Sequence, residues 1–338
     1  MDVFTDVIAT MRVGRAKFTR SRWSGPWGHR FGPYPGAGFH VVVEGSCWLI
    51  PPSGEPVRLD AGDVVFLPHG ALHGLSDRPD TAVEELPPAR ETDADDSVPD
   101  QPHTHLVCGA YRLDRGHAHP FLRTLPEVLH LRSHPGRHPA LRAAVDLLGA
   151  DVTEAKPGAG AALPALLDLL LVYLLRAWLD EESARRPGAG WCAAFTDPVV
   201  ATALSNVHQN PAHRWTVTEL AGKAGLSKTA FARRFTALVG QAPMSYLTWW
   251  RLSTGARLLR DGDDTLASVA RKVGYTSEFA FAAAFKREFG VAPGRFRRSA
   301  HPDDDGARGL VVQAPAIGVP DQRRDQREDE DGPQQRAR

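Results

Sequence analysis

The 338-residue sequence predicts an α+β protein: a small β-barrel at the amino end, a helical connector, and an all-α carboxy-terminal domain with two helix-turn-helix modules. Three observations carry this expectation. Short β-branched and aromatic runs punctuated by Gly and Pro occupy the first 130 residues. A long apolar run without strand-like alternation follows near residue 163. The segment from 205 to 298 then repeats itself at an interval of 49 to 50 residues.

Composition allows two cores, since 42% of residues are hydrophobic. The amino end, "MDVFTDVIATMRVGRAKF", mixes acidic, apolar and basic residues and has no apolar run before a small-residue cleavage site, so a cytoplasmic chain is expected. Cys47, Cys108 and Cys192 are odd in number, widely spaced and without a C-x-x-C pair, which excludes a readable disulfide framework or zinc finger. Three buried thiols are the plainer expectation.

In chain order, "FHVVVEGSCWLI", 39 to 50, reads as two strands about a Glu-Gly turn. "VRLDAGDVVFLPHGALHGL", 57 to 75, reads as another pair. The pairs His103 with His105 and His117 with His119 have the i, i+2 spacing of one strand face, but their Pro and Gly neighbours fit surface loops equally well, so each pair is expected to be structural or exposed. Cys108 lies in a strand-like stretch.

The connector begins with a helix after Pro139, followed by a Gly-rich break and then the run "LPALLDLLLVYLLRAWLDEE" from 163 to 182. Asp168 and Arg176 inside that run, with Pro164 at its expected first turn, favour a helix buried between protein surfaces over a membrane span. Being apolar on nearly every side, it needs more than one cover, the barrel and a second subunit being the candidates. "EESARRPGAGWCAAF" reads as an interdomain linker, with a boundary near 185 to 195.

The formal charge of zero conceals a partition. Residues 191 to 300 hold 15 Lys and Arg against 7 Asp and Glu, a net of +8, whereas residues 1 to 190 hold 19 against 24 and the tail 6 against 9. Concentrated basic charge suits a polyanion-binding module. The repeat supplies the syntax: Ala221, Gly225, Leu226 and Ser227 recur 49 residues later as Ala270, Gly274, Tyr275 and Thr276, and Phe231, Phe235, Gly240, Pro243 and Tyr246 recur 50 later as Phe281, Phe285, Gly290, Pro293 and Phe296. Each unit is a short helix, a Gly turn, a polar N-cap and a second helix closed by Gly. Phe231, Phe235 and Leu238 share one helix face, leaving Lys228, Thr229, Ala232, Arg233 and Thr236 outward, and the 243 to 262 stretch joins the units as one long helix. The tail from 301 is polar and expected to be disordered.

Residues 205 to 298 resemble the DNA-binding domain of the AraC/XylS family of transcription regulators, most distinctively in "VARKVGYTSEFAFAAAFKREFGVAPGRFR". The resemblance implies a double-stranded DNA partner, a homodimer, RNA polymerase as a further partner, and no membrane. DNA contact is expected from Ser227, Lys228, Thr229, Arg233 and Arg234 in the first module and from Ser277, Glu278, Phe279, Lys286 and Arg287 in the second. Relatives often place a polar residue and an Arg where this chain has Ala282 and Ala283, so base reading should lean on Thr229 and Arg233, with Lys286 and Arg287 holding phosphate.

Residues 62 to 73 carry Gly62, Pro68, Gly70 and His73 at the spacing of a cupin motif, and the amino-terminal part resembles the cupin-type sensor domain joined to such modules. The resemblance implies an effector pocket containing His40, Glu44 and His73 for an unknown small molecule. Enzymatic cupins carry a further His ligand two residues before His40, where this chain has Gly38, so neither a metal, a cofactor nor catalysis is expected. A three-ligand site of His40, Glu44 and His73 is the metal-binding alternative. A metal-dependent cupin enzyme bearing a DNA-binding module, or a regulator sensing oxidants through Cys108, are the rival functions. The expected domains are 1–130 for sensing, 131–190 as helical connector and dimerisation element, 191–300 for DNA binding, and 301–338 as tail.

Overall fold

Alternating apolar residues give strands, and which residues alternate decides how the strands stack. The structure, a computed structural model, describes residues 2–11, 17–34, 36–85, 103–111, 119–132, 136–153 and 157–300. Helix α1 (Val3–Met11) precedes strands β1 (Lys17–Ser24), β2 (Gly28–Phe31), β3 (Ala37–Glu44), β4 (Ser46–Ile50), β5 (Val57–Asp60), β6 (Val64–Leu67), β7 (His73–Ser76), β8 (Glu84–Glu85), β9 (His103–Tyr111) and β10 (Leu129–Leu131). The expectations for His117 and for the tail from 301 fall outside the described residues.

The strands form two five-stranded sheets, ordered β1-β9-β3-β6-β10 and β5-β4-β7-β2-β8, that pack face to face without closing into the expected barrel. The reason lies at two corners. Gly45 (φ 77°) separates β3 from β4, yet these strands belong to opposite sheets, so the Glu-Gly pair turns a corner instead of a hairpin. Gly62 (φ 90°) does the same between β5 and β6. Alternate residues then fill the space between sheets: Val42, Val65, Leu67, Leu106 and Cys108 from one meet Phe31, Cys47, Leu49, Leu59 and Leu75 from the other. Each fully buried aliphatic side chain there contributes about 1.5–3 kcal/mol.

The residues between those positions, Phe39, Val41, Val64, Phe66, Val107 and Tyr111, face outward from the first sheet and are covered by helices. These are α2 (Pro139–Thr153) and α3 (Ala159–Arg185), and α4 (Gly190–Thr196) packs in turn on α3. Helix α3 is long and apolar enough to cross a membrane by length and composition, but Leu163, Leu167, Leu170, Leu171, Leu174, Leu175 and Trp178 are buried in the protein core. The Tyr111 hydroxyl donates to the Leu167 carbonyl at 2.6 Å, tying sheet to helix. The helix starts at Ala159, so Pro164 sits one turn further in than its expected place. Leu169 of α3 and Leu147 of α2 stay exposed.

Helices α5 (Pro198–Gln209), α6 (Val217–Lys223), α7 (Lys228–Val239), α8 (Pro243–Asp261), α9 (Leu266–Lys272), α10 (Glu278–Phe289) and α11 (Pro293–Ala300) complete the chain. Most of the expected linker is helical, its start being the end of α3 and its close being α4, whose Trp191 is buried against Phe121, Phe195 and Tyr246. One continuous core therefore runs from the first sheet through α3 and α4 to Phe231, Phe235, Tyr246 and Trp250. The second module has a separate core of Leu252, Ala256, Leu259, Val269, Phe281 and Phe285.

Candidate nucleic-acid interface and sheet interior

The two modules are built by local chemistry that recurs. Thr216 and Thr265 cap α6 and α9 by accepting from the Glu219 and Ser268 amides at 3.1 and 3.2 Å. Ser227 and Ser277 cap α7 and α10, accepting from the Ala230 and Ala280 amides at 3.2 Å each. The structural counterpart of Ser227 is thus Ser277, and Thr276 is the inserted residue, a shift of one from the alignment by sequence. Gly240 and Gly290 end the same two helices at φ 83° and 72°, where a Cβ would be strained. Helix α8 carries Tyr246, Leu247 and Trp250 into the first core and Leu252, Ala256 and Leu259 into the second, so one rod joins the modules.

Burial of Phe231, Phe235 and Val239 turns the opposite face of α7 outward, and Lys228, Thr229, Arg233 and Thr236 are exposed on it. Arg234 has another task. Its Nε donates to Asp197 Oδ2 at 2.8 Å, and Asp197 also caps α5 by accepting from Val199 and Val200. The guanidinium holds that carboxyl below its ordinary range, against an opposing push from partial burial. The structure thus gives Arg234 a bracing role that was not expected, because helix spacing alone does not reveal a carboxylate 37 residues away. Arg233, Arg234, Ala230, Ala237 and Leu238 line an open groove of about 750 Å³ against Ala193, Thr196 and Asp197.

In the second module Phe281, Ala284 and Phe285 are buried, while Ser277, Phe279, Lys286 and Arg287 are exposed and Glu278 is partly so. Phe279 stands out at 79% exposure. Ala283, the counterpart of Arg233, is also exposed, so the second helix presents methyl groups where the first presents a guanidinium.

Between the sheets, His40 of β3 and His73 of β7 meet with their Nε2 atoms 2.7 Å apart. The Nδ1 of His73 lies 2.8 Å from the Ala71 carbonyl, which can only accept, so that nitrogen carries the proton and its Nε2 accepts from His40 Nε2–H. The remaining His40 Nδ1 is a buried acceptor without a partner. Burial holds the imidazole of His40 well below its ordinary value and that of His73 at about 4, so both rings are neutral at physiological pH.

Glu44 does not join them. It lies past a register shift at the end of β3, exposed, so the three expected pocket residues do not converge. Among the described residues no group of three or more His, Cys, Asp or Glu could hold a metal ion. Gly38 has a visible consequence: the Tyr34 phenol occupies the space that a Cβ at residue 38 would need. Cys47 and Cys108 are both buried between the sheets, where desolvation pushes the Cys47 thiol up to about 12 and the Cys108 thiol higher still. The nucleophilic thiolate is disfavoured at both.

Four polar residues that sequence reasoning missed are Asp6, His119, His208 and Tyr246, which hydrogen-bond to one another across the junction of the two halves. Of the two alternatives for His119, structural or exposed, burial selects the structural one. The one signal in the sequence was that Tyr246 carries a hydroxyl where its repeat partner is Phe296.

Residues 2–180 match a family model described as Cupin, and residues 220–299 one described as a helix-turn-helix domain. A putative AraC-like transcription regulator of Streptomyces lividans is 34% identical over 305 residues, covering 89% of this chain and 99% of that protein. The RCS-specific HTH-type transcriptional activator RclR of Escherichia coli K12 is 30% identical over 261 residues, covering 77% and 83%. Among solved structures, the DNA-binding domain of AdpA in complex with a target DNA is 31% identical over 30% of this chain and 92% of its own, with a TM-score of 0.29.

Proposed function

Since the chain belongs to the AraC-like transcription regulators with an amino-terminal cupin domain, we propose that its cupin half senses a small-molecule effector and thereby alters how the two modules engage a promoter. The coarse activity is that of a DNA-binding transcription regulator, not an enzyme. On this reading the effector enters between the two sheets and offers a hydrogen-bond donor to the unpartnered His40 Nδ1, which costs free energy while it stays buried and unsatisfied. Glu44, exposed at the strand end, acts at most at the rim.

On the DNA side, Arg233 and Thr229 read base edges, Lys228, Lys286 and Arg287 hold phosphates, and the cap hydroxyls of Ser227 and Ser277 approach the backbone. Phe279 and Glu278 complete the second reading surface. The chain acts as a cytoplasmic homodimer, pairing through the α2 and α3 face that leaves Leu147 and Leu169 exposed, and RNA polymerase is its further partner at the promoter. The sensing, connector and DNA-binding divisions at 1–130, 131–190 and 191–300 describe roles in this scheme, because the packing itself is continuous across them.

The observation that carries the DNA reading is the pair of capped recognition helices with exposed basic faces on one rigid α8. Selection of duplexes from a random library by the purified chain tests it. Enrichment of two short conserved blocks is the expected result, and enrichment of none would remove the reading. Calorimetric or thermal-shift screening of the selected complex against metabolite pools tests the effector half.

A further inference from the structure

Four polar side chains from four separate elements meet in an otherwise apolar junction, and their protons can be placed one after another. The Phe121 amide donates to His119 Nδ1 at 3.1 Å. In a neutral ring that leaves Nε2 protonated, so His119 donates to the Tyr246 oxygen, also at 3.1 Å. The Tyr246 hydroxyl then donates to His208 Nε2 at 2.6 Å, and His208 Nδ1 donates to Asp6 Oδ2 at 3.2 Å. Every donor finds one acceptor, and the first bond fixes the direction of all the others.

The elements joined are informative. Asp6 sits on α1 and His119 on the loop before β10, both in the amino-terminal half, whereas His208 sits on α5 and Tyr246 on α8, the helices on either side of the first module, whose core they share. Aromatic rings seal the chain: Trp191 and Trp249 flank His119 at 4.8 and 5.0 Å, and Trp250 stacks on His208 at 3.7 Å. The second module provides an internal comparison. Phe296, the repeat partner of Tyr246, packs on Phe285 and Phe289 at 5.3 Å each, in a core that includes nothing from the amino-terminal half. The fold of a module therefore needs the ring at this position and not the hydroxyl.

We infer that Tyr246 is a positioning residue: its hydroxyl latches the amino-terminal half to the first helix-turn-helix module, so that a change in that half acts directly on the first module, whereas the second has no such contact. The latch holds only while both imidazoles are neutral. A proton added to His119 would set an N–H against the Phe121 amide, and one added to His208 would turn its Nε2 into a donor and leave the Tyr246 hydroxyl proton without an acceptor. The charged groups facing the chain are Asp6, which favours a proton on His208, and Arg123, which disfavours one on His119. Burial outweighs Asp6, and both rings lie below the ordinary value of 6.5. The open junction therefore takes up protons first, so the latch is fully engaged above pH 6.5 and weakens as pH falls below it.

The inference rests on the amino-terminal half being the regulatory one, but its test needs neither effector nor operator and can fail separately. Hydrogen exchange is followed along the full-length chain, corrected for intrinsic rates. Tyr246→Phe should speed exchange of α1 amides and of Phe121 about tenfold, the expected effect of leaving buried partners unsatisfied, while α9 to α11 stay unchanged. In the wild type, α1 protection should fall as pH drops from about 7.5 to 5.5, the range that spans an ordinary histidine titration. Asp6→Asn keeps an acceptor but removes the charge that favours His208 protonation in the closed junction, so its loss of α1 protection should begin at the same pH and run deeper as pH falls further. Equal α1 protection in Tyr246→Phe and wild type overturns the inference, as does a uniform loosening of all helices. Should that variant fold poorly, an Asp6→Asn chain whose α1 protection falls no further than the wild type's as pH drops below 6.5 overturns it alone.

Discussion

Two adjacent arginines on α7 should respond to the same substitution in opposite ways. Arg233 is exposed on the outward face, and its removal should change folding stability by no more than about 0.5 kcal/mol, as for other surface positions. If its guanidinium takes a guanine edge with two hydrogen bonds, Arg233→Ala removes about 1–3 kcal/mol of discrimination at one base pair, roughly 5- to 150-fold in affinity ratio. Arg234 is tied to Asp197, with side-chain exposures of 48% and 10%. Asp197 keeps its two capping bonds when Arg234 is lost, so Arg234→Ala should cost about 0.5–1 kcal/mol of stability, the upper part of the range for a partly exposed pair. Its effect on DNA should be the same at every base pair. Urea unfolding gives the stability terms, and fluorescence anisotropy against single-base variants of a selected duplex at fixed salt gives the rest. A position-specific loss in Arg234→Ala, or unchanged base preferences in Arg233→Ala, would reverse the two roles and refute the reasoning.

Other positions make further claims. Lys286→Ala should weaken binding to all duplexes alike and flatten the slope of log K against log salt by about one unit, measured by anisotropy across a salt series. Phe279→Ala, at a 79% exposed ring, should leave the urea midpoint unchanged yet lower affinity for duplexes with thymine at one position of the second half-site, by loss of contact with its methyl group. Gly255→Ala would place a Cβ 2.8 Å from the Phe281 ring inside the second core, so it should cost about 1–3 kcal/mol by overpacking. Folded protein at pH 8 should leave Cys47 and Cys108 unreacted with a chromogenic disulfide reagent until urea is added, because both thiols stay protonated well above that pH. Rapid reaction of either in the folded state would favour the oxidant-sensing alternative.

The amino-acid sequence by itself determined the two modules. Each signal there is local: a threonine or serine cap, a glycine at positive φ, and Phe231 with Phe235 one turn apart all act within a dozen residues. The charge partition and the hydroxyl-free Ala282 and Ala283 were legible for the same reason, since they need no partner to be counted. Short β-branched and aromatic runs between Gly and Pro likewise marked the strands but not how they pair. Whether the sheet closes depends on which strands pair at its edges, and the corners at Gly45 and Gly62 settled that in favour of two stacked sheets. The cupin motif already put His40 and His73 in one pocket, but the tertiary structure alone decided the other polar contacts, because they join residues far apart in the chain: Arg234 to Asp197 across 37 residues, His208 to Tyr246 across 38, His119 to Tyr246 across 127, and Asp6 to His208 across 202. A side chain's spacing along a helix or strand tells where it points, and only the packing of the whole chain brings the group it meets.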